Sequence, residues 1–174
     1  MLVLSSHQSH LDPILVGMGF NRRLNYLARD TLFGFAPFRW LINSLDAIPI
    51  DREGLGLDGL KETLRRLKRG EMVLMFPEGT RTVDGNVGRL KPGFCALAKR
   101  GNAYLLPVAV VGAFEAWPRS QSFPRLGHIH VEFGPPLAPE QMTGLDEAQL
   151  VAEIDRRIRR CHEAAVRARA RGYR

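Results

Sequence analysis

A chain of 174 residues with 45% hydrophobic and 25% charged residues can form one domain with a substantial core, and its composition excludes a disordered protein. Its formal net charge of +7 favours anionic partners: nucleic acid, phosphorylated ligands or an anionic membrane surface. No RNA-binding signature, zinc-finger spacing, signal peptide or apolar run of about 18 residues is present, so neither a nucleic acid partner nor a transmembrane segment is predicted.

The first predicted element is an apolar strand at residues 2–5, which leads into a polar cluster. His7 stands where the strand ends, and Asp12 with Pro13 has the pattern of a helix start, with Asp12 at the N-cap and the helix running to about Gly19. Across such a turn the two side chains can meet. A carboxylate bonded to one imidazole nitrogen leaves the other nitrogen as a proton acceptor.

This pair has two interpretations from the residues alone. In the first, His7 is a general base and Asp12 orients it, because an imidazole titrates near neutrality. In the second, Asp12 only caps a helix and His7 is a surface polar group. His10 is a second candidate base, which we expect to be supporting or structural because it is too close to Asp12 in sequence for the same geometry.

The next predicted elements are short strands at residues 24–28 and 47–50, separated by an apolar segment. Residues 33–45 of that segment are interpreted either as a core helix or as a part of the chain that lies in the membrane interface. Arg52 follows the third strand as a cation at a strand end. An amphipathic helix is predicted at residues 57–68 because its leucines recur at helical spacing.

A second polar cluster follows the most hydrophobic strand, which is predicted at residues 72–76. Glu78 supplies an acceptor, Thr80 a hydroxyl and Arg81 a planar fork that suits phosphate. Gly79 permits positive φ or close backbone approach. The alternative is a simple tight turn leaving a buried strand, which does not explain why Glu78 and Arg81 stand together.

Lys91 precedes a helix that is predicted at residues 92–100 and closed by Gly101. A lysine beside free backbone amides at a helix start favours anions. Individually, Lys91, Arg52 and Arg81 are ordinary solvated charges. Together they predict a phosphate pocket, in which each charge-assisted hydrogen bond contributes about 1.5–3 kcal/mol.

The rest of the chain predicts strands at residues 104–111 and 128–133 and a long basic helix from 146 to about 169. Strands that alternate with helices indicate an α/β fold, here a single domain over residues 1–174 with a mixed, largely parallel sheet flanked by helices. Active sites in such sheets lie at strand ends. The chain has no nucleophile elbow, zinc-site spacing or glycine-rich phosphate loop, which favours direct proton removal from a substrate hydroxyl over a covalent intermediate.

Four segments resemble the motifs of the glycerolipid acyltransferases typified by lysophosphatidic acid acyltransferase. They are His7 and Asp12 with four residues between them, then residues 47–52 (Ala-Ile-Pro-Ile-Asp-Arg), 76–81 (Phe-Pro-Glu-Gly-Thr-Arg) and 106–110 (Leu-Pro-Val-Ala-Val). Their order and rough intervals also match. The resemblance implies the fold of glycerol-3-phosphate acyltransferases and a fatty acyl transfer.

The resemblance also implies roles for individual residues. His7 is implied as the catalytic base, with Asp12 as its partner. Arg52 and Arg81 are implied as phosphate ligands, with Lys91 near the phosphate. The implied contacts of the glycerol are Glu78, Gly79 and Thr80, and Pro107 is implied as a neighbour of the acyl chain. It implies an acyl-CoA or acyl carrier protein donor, a lysophospholipid acceptor, above all 1-acylglycerol 3-phosphate, no cofactor, and a peripheral position on the cytoplasmic side of a membrane.

Several alternatives stay open within this resemblance. Another acceptor, such as glycerol 3-phosphate or a non-glycerol lipid, fits the same motifs. A catalytically silent lipid- or phosphate-binding module also fits, although the presence of both His7 and Asp12 argues against it. The N-terminal membrane helices of many family members are absent from this sequence, so we expect the chain to begin directly at the acyltransferase domain.

Overall fold

The computed structural model describes residues 1–29, 48–50, 57–121 and 123–172, which form an α/β fold. The strands are β1 (Leu2–Ser5), β2 (Leu24–Arg29), β3 (Ile48–Ile50), β4 (Met72–Met75), β5 (Leu105–Val111) and β6 (His130–Phe133). The helices are α1 (Asp12–Gly17), α2 (Leu57–Lys68), α3 (Gly93–Gly101), α4 (Ala113–Ala116) and α5 (Glu147–Arg171), with a 3-10 turn at Pro139–Met142.

The six strands form one sheet in the order β3-β2-β4-β1-β5-β6. The first five strands are parallel to their neighbours, and only β6 runs antiparallel, beside β5. The predicted mixed, largely parallel sheet is therefore confirmed. Because β1 lies between β4 and β5, the residues that follow β1 and β4 come out side by side at the same edge.

Helices cover both faces of the sheet, and the alternation along β1 shows how. Leu2 and Leu4 pack with α2, α3 and α5 on one face, whereas Val3 packs with Val16 of α1 on the other. Each of these side chains is fully buried and contributes about 1.5–3 kcal/mol of transfer free energy. The site-bearing strand is thus fixed from both sides.

Two predicted helix ends are wrong in detail. Helix α1 ends at Gly17 rather than near Gly19. Gly101 belongs to α3 instead of closing it, and Asn102 is the left-handed residue, with φ of 44°. The reason is packing: a Cβ on Gly101 would lie 3.2 Å from Leu67 Cδ1, so the glycine serves the contact between α2 and α3.

Helix α5 has the predicted apolar stripe and begins at a capping box, in which Asp146 accepts the Gln149 backbone N–H at 2.7 Å. Several of its arginines pair with acidic residues one turn earlier, such as Arg159 with Asp155 at 2.7 Å. Within the described part of the chain, no helix combines the length and the apolar character needed to cross a bilayer.

Candidate active site

The loop after β1 brings together the two residues that were predicted to form a catalytic pair. His7 Nδ1 lies 2.8 Å from Asp12 Oδ2, so the predicted contact is confirmed. An ionised carboxylate only accepts hydrogen bonds, so in a neutral imidazole Nδ1 carries the hydrogen and Nε2 keeps its lone pair. The Asp12 side chain is fully buried, whereas the His7 ring is 19% exposed. The pair can therefore hold a proton acceptor at the surface of the site.

Asp12 does more than orient the imidazole. Its Oδ2 also accepts the backbone N–H groups of Gln8 at 2.6 Å and of Ser9 at 2.8 Å. The predicted N-cap role is wrong, because Leu11 is the N-cap and Asp12 is the first helical residue, with its carboxylate directed back to the loop. Asp12 thereby fixes both the ring and the backbone that carries the ring.

Two further neighbours of His7 were not singled out from the sequence. The Phe76 ring stacks on the His7 ring, with centroids 3.9 Å apart and planes 15° apart. Gln8 bridges two segments, since its amide donates to the Gly85 carbonyl and accepts the Phe114 N–H. The sequence signals for Phe76 are its position at the end of a predicted strand and its place at the start of the motif at residues 76–81. Both contacts restrict the conformations open to the His7 loop.

Glu78 is buried and binds the backbone of the His7 loop. Its Oε1 accepts the His7 backbone N–H at 2.9 Å, and its Oε2 accepts the Gly88 N–H at 3.0 Å. Burial raises the pKa of this carboxyl group, and the two backbone hydrogen bonds oppose that shift. The geometry thus gives Glu78 a role in positioning His7. Its implied contact with the glycerol of an acceptor stays a prediction.

Replacing Glu78 with glutamine should lower the free energy of unfolding by about 1–3 kcal/mol, because the amide NH2 must face one of two backbone N–H groups. Urea denaturation measures this change. The matched control is Glu132→Gln, a half-buried carboxylate on the edge strand β6 that pairs with His130, for which we expect about 0.5 kcal/mol or less. Equal stability of the two variants would contradict the role of Glu78.

Gly79 and Lys91, two residues of the predicted phosphate pocket, lie against each other. Gly79 has φ of +70°, the left-handed region that favours glycine, and a Cβ there would lie 3.0 Å from the Lys91 Nζ. Thr80 is exposed beside them. The ammonium therefore sits over the turn that carries Arg81. The contacts of these residues with a substrate stay predictions.

Arg81 is half-buried, and its Nη1 is a buried donor without a hydrogen-bond partner in the described structure. Burial lowers the pKa of Arg81, the nearby Arg119 charge lowers it further, and the Asp12 carboxylate opposes the shift. A buried guanidinium donor without a partner costs free energy, which an anionic ligand would recover. Arg81 lies near enough to the buried Asp12 carboxylate for the two charges to interact.

His10 has a different environment from His7. Burial, with the charges of Arg81 and His7, lowers the pKa of His10 to about 4. Its ring lies 5.4 Å from that of Trp117, at a tilt. His10 is therefore neutral at pH 7 and a weaker base than an ordinary imidazole. This agrees with the expectation that His10 has a supporting or structural role.

Pro107 is the remaining predicted site residue that the structure describes. Arg52 and residues 33–45 fall outside the described residues. Pro107 is buried in β5 beside Leu4 of β1, and its carbonyl accepts the Gly134 N–H at 2.9 Å. Its implied place near an acyl chain stays a prediction.

Comparison with known proteins identifies relatives of this chain. Residues 1–111 match the profile of the family described as Acyltransferase. Two relatives are called 1-acyl-sn-glycerol-3-phosphate acyltransferase. The Bacillus subtilis protein is 33% identical over 112 residues, which cover 64% of this chain and 55% of the relative. The Pseudomonas aeruginosa protein is 32% identical over 160 residues, which cover 90% of this chain and 60% of the relative.

A solved structure has the same fold. It is the 1-acyl-sn-glycerophosphate (LPA) acyltransferase PlsC from Thermotoga maritima, with a TM-score of 0.79 and 25% sequence identity. The match covers 94% of this chain and 66% of that chain. This chain thus spans a little over half to about two thirds of the length of these three proteins.

Proposed function

This chain belongs to the acyltransferase family, and we propose that it transfers a fatty acyl group from a thioester to the free hydroxyl of 1-acylglycerol 3-phosphate. The product is phosphatidic acid, and the donor is acyl-CoA or an acyl carrier protein. Relatives with this named activity and the PlsC-like fold support the reaction. The observation that carries the proposal is the His7 and Asp12 contact beside the partnerless Nη1 of Arg81.

In the proposed mechanism, His7 acts as the general base. Its Nε2 removes the proton from the acceptor hydroxyl as the hydroxyl oxygen attacks the thioester carbonyl carbon. The tetrahedral intermediate then collapses, the carbon–sulfur bond breaks, and the departing thiolate takes the proton from His7. Asp12 stabilises the imidazolium that exists between these two proton transfers. General-base help of this kind contributes about 10²–10⁴ in rate.

The acceptor phosphate binds at the cationic side of the site in this proposal. Arg81 supplies a guanidinium donor that none of the described residues pairs, and Lys91 supplies an ammonium group over Gly79. Arg52 is proposed as a further phosphate ligand, and Glu78, Gly79 and Thr80 as neighbours of the glycerol. The acceptor is thereby held at two points, its phosphate and its hydroxyl, which orients the hydroxyl toward His7.

A donor-by-acceptor screen with the purified protein tests this function. The donors are acyl-CoA and acyl carrier protein thioester, and the acceptors are lysophosphatidic acid, glycerol 3-phosphate and monoacylglycerol. We expect mass spectrometry to detect the greatest product formation with lysophosphatidic acid. Greater product formation with glycerol 3-phosphate would show that glycerol 3-phosphate, rather than lysophosphatidic acid, is the acceptor. No product with any pair would favour a silent binding module.

A further inference from the structure

Large apolar side chains are exposed near the edge of the sheet that carries His7. Phe123 is 81% exposed and Leu126 is fully exposed. Val83 is 79% exposed and follows Thr82, whose backbone N–H donates to the His7 carbonyl at 2.8 Å. Single exposed apolar residues are common on protein surfaces. The feature that needs an explanation is that Val83, Phe123 and Leu126 are all exposed on segments near the His7 site.

Arginines stand between these apolar residues. Arg119 and Arg125 are both exposed and flank Phe123 in sequence, and Leu126 follows directly. The charge of Arg119 reaches Arg81, where it contributes to the lowered pKa, so this segment lies near the proposed phosphate ligand. Exposed apolar side chains interspersed with arginines are complementary to the interface of an anionic bilayer. Its acyl chains accept the apolar groups and its anionic headgroups bind the arginines.

Hydrogen bonds hold this segment against the His7 loop. The Ser9 hydroxyl donates to the Trp117 carbonyl at 2.9 Å, and the His10 and Trp117 rings lie together. The Arg125 backbone N–H donates to the Ala116 carbonyl at 2.7 Å, which ties the far side of the segment to α4. Because α4 follows β5 directly, the segment lies at the same edge of the sheet as His7.

We propose that Val83, Arg119, Phe123, Arg125 and Leu126 form a surface, the Phe123 surface, that docks on an anionic lipid bilayer. Its apolar side chains enter the headgroup region and its arginines bind lipid phosphates. The docking places the loop that carries His7 against the membrane, where a lysophospholipid resides. This step extends the proposed function by stating how the acceptor reaches the site.

The test measures vesicle binding in the absence of any donor, so it does not depend on turnover. The protein is co-sedimented with vesicles of phosphatidylcholine alone and of phosphatidylcholine with phosphatidylglycerol. We expect the Phe123→Ser, Leu126→Ser double variant to bind the mixed vesicles at least about tenfold more weakly than the unmodified protein. The Arg119→Gln, Arg125→Gln double variant should lose about tenfold in binding to the mixed vesicles only.

The matched control is Met18→Ser. Met18 is 79% exposed and follows the end of α1 that is remote from His7, so this variant should bind like the unmodified protein. Circular dichroism checks that every variant is folded, which is expected because all five altered side chains are exposed. Unchanged binding of the Phe123→Ser, Leu126→Ser variant, or an equal loss for Met18→Ser, would overturn the proposal. Vesicle binding that persists in a protein inactive on every acceptor would refute the function but leave the Phe123 surface intact.

Discussion

Replacing His7 with alanine should lower kcat for acyl transfer to lysophosphatidic acid by roughly 10²- to 10⁴-fold. The reason is that Nε2 of His7 is the proton acceptor in the proposed reaction, while Asp12 holds Nδ1 at 2.8 Å. The remaining rate comes from binding and orientation of the two substrates. Product formation over time, at saturating donor and acceptor, gives the comparison.

The matched control for this prediction is His10→Ala, which removes a nearby imidazole. The pKa of His10 is lowered to about 4, chiefly by burial, so it is a poor base at neutral pH. We expect the kcat of the His10→Ala variant to stay within about tenfold of that of the unmodified protein, because the His10 side chain does not act as the general base. Full activity of His7→Ala, with urea denaturation showing an intact fold, would remove His7 as the base.

Replacing Arg81 with alanine should reduce kcat/KM for lysophosphatidic acid by roughly 10- to 100-fold. A charge-assisted hydrogen bond contributes about 1.5–3 kcal/mol, and each 1.4 kcal/mol is about tenfold in binding. Monoacylglycerol has no phosphate, so its transfer rate should change much less. The prediction therefore concerns the ratio of the two specificity constants, measured in parallel reactions.

Arg100→Ala is the control for loss of positive charge, since Arg100 is an exposed arginine near the end of α3. We expect it to leave both acceptors unaffected. Arg81→Lys should recover part of the lost binding, because an ammonium keeps the charge but lacks the planar fork. An equal loss for phosphorylated and non-phosphorylated acceptors in Arg81→Ala would show that Arg81 does not bind the phosphate.

Local patterns in the sequence predict much of this fold. The leucine spacing gives α2 its bounds at Leu57 and Lys68, and the continuous apolar run gives the buried strand β4 to within one residue. The contact of His7 with Asp12 was also predictable, because a strand-to-helix turn returns the chain within a few residues. These features depend on neighbours in sequence, where periodicity and turn chemistry are informative.

Contacts between distant segments could not be predicted in the same way. Glu78 binds the His7 backbone and Phe76 stacks on the His7 ring, and each pair is about 70 residues apart in sequence. Such contacts depend on β4 lying beside β1, which no local pattern encodes. The N-cap prediction for Asp12 failed for a different, local reason: its carboxylate accepts the backbone N–H groups of Gln8 and Ser9 in the preceding loop.

The most direct test of the central claim measures two products in one reaction. Purified protein is supplied with acyl-CoA, with and without lysophosphatidic acid, and both free thiol and phosphatidic acid are quantified. We predict that thiol appears only when the acceptor is present, in an amount equal to the phosphatidic acid, and that both fall together in His7→Ala. Thiol release without acceptor, or without matching lipid product, would contradict transfer to the lysolipid hydroxyl.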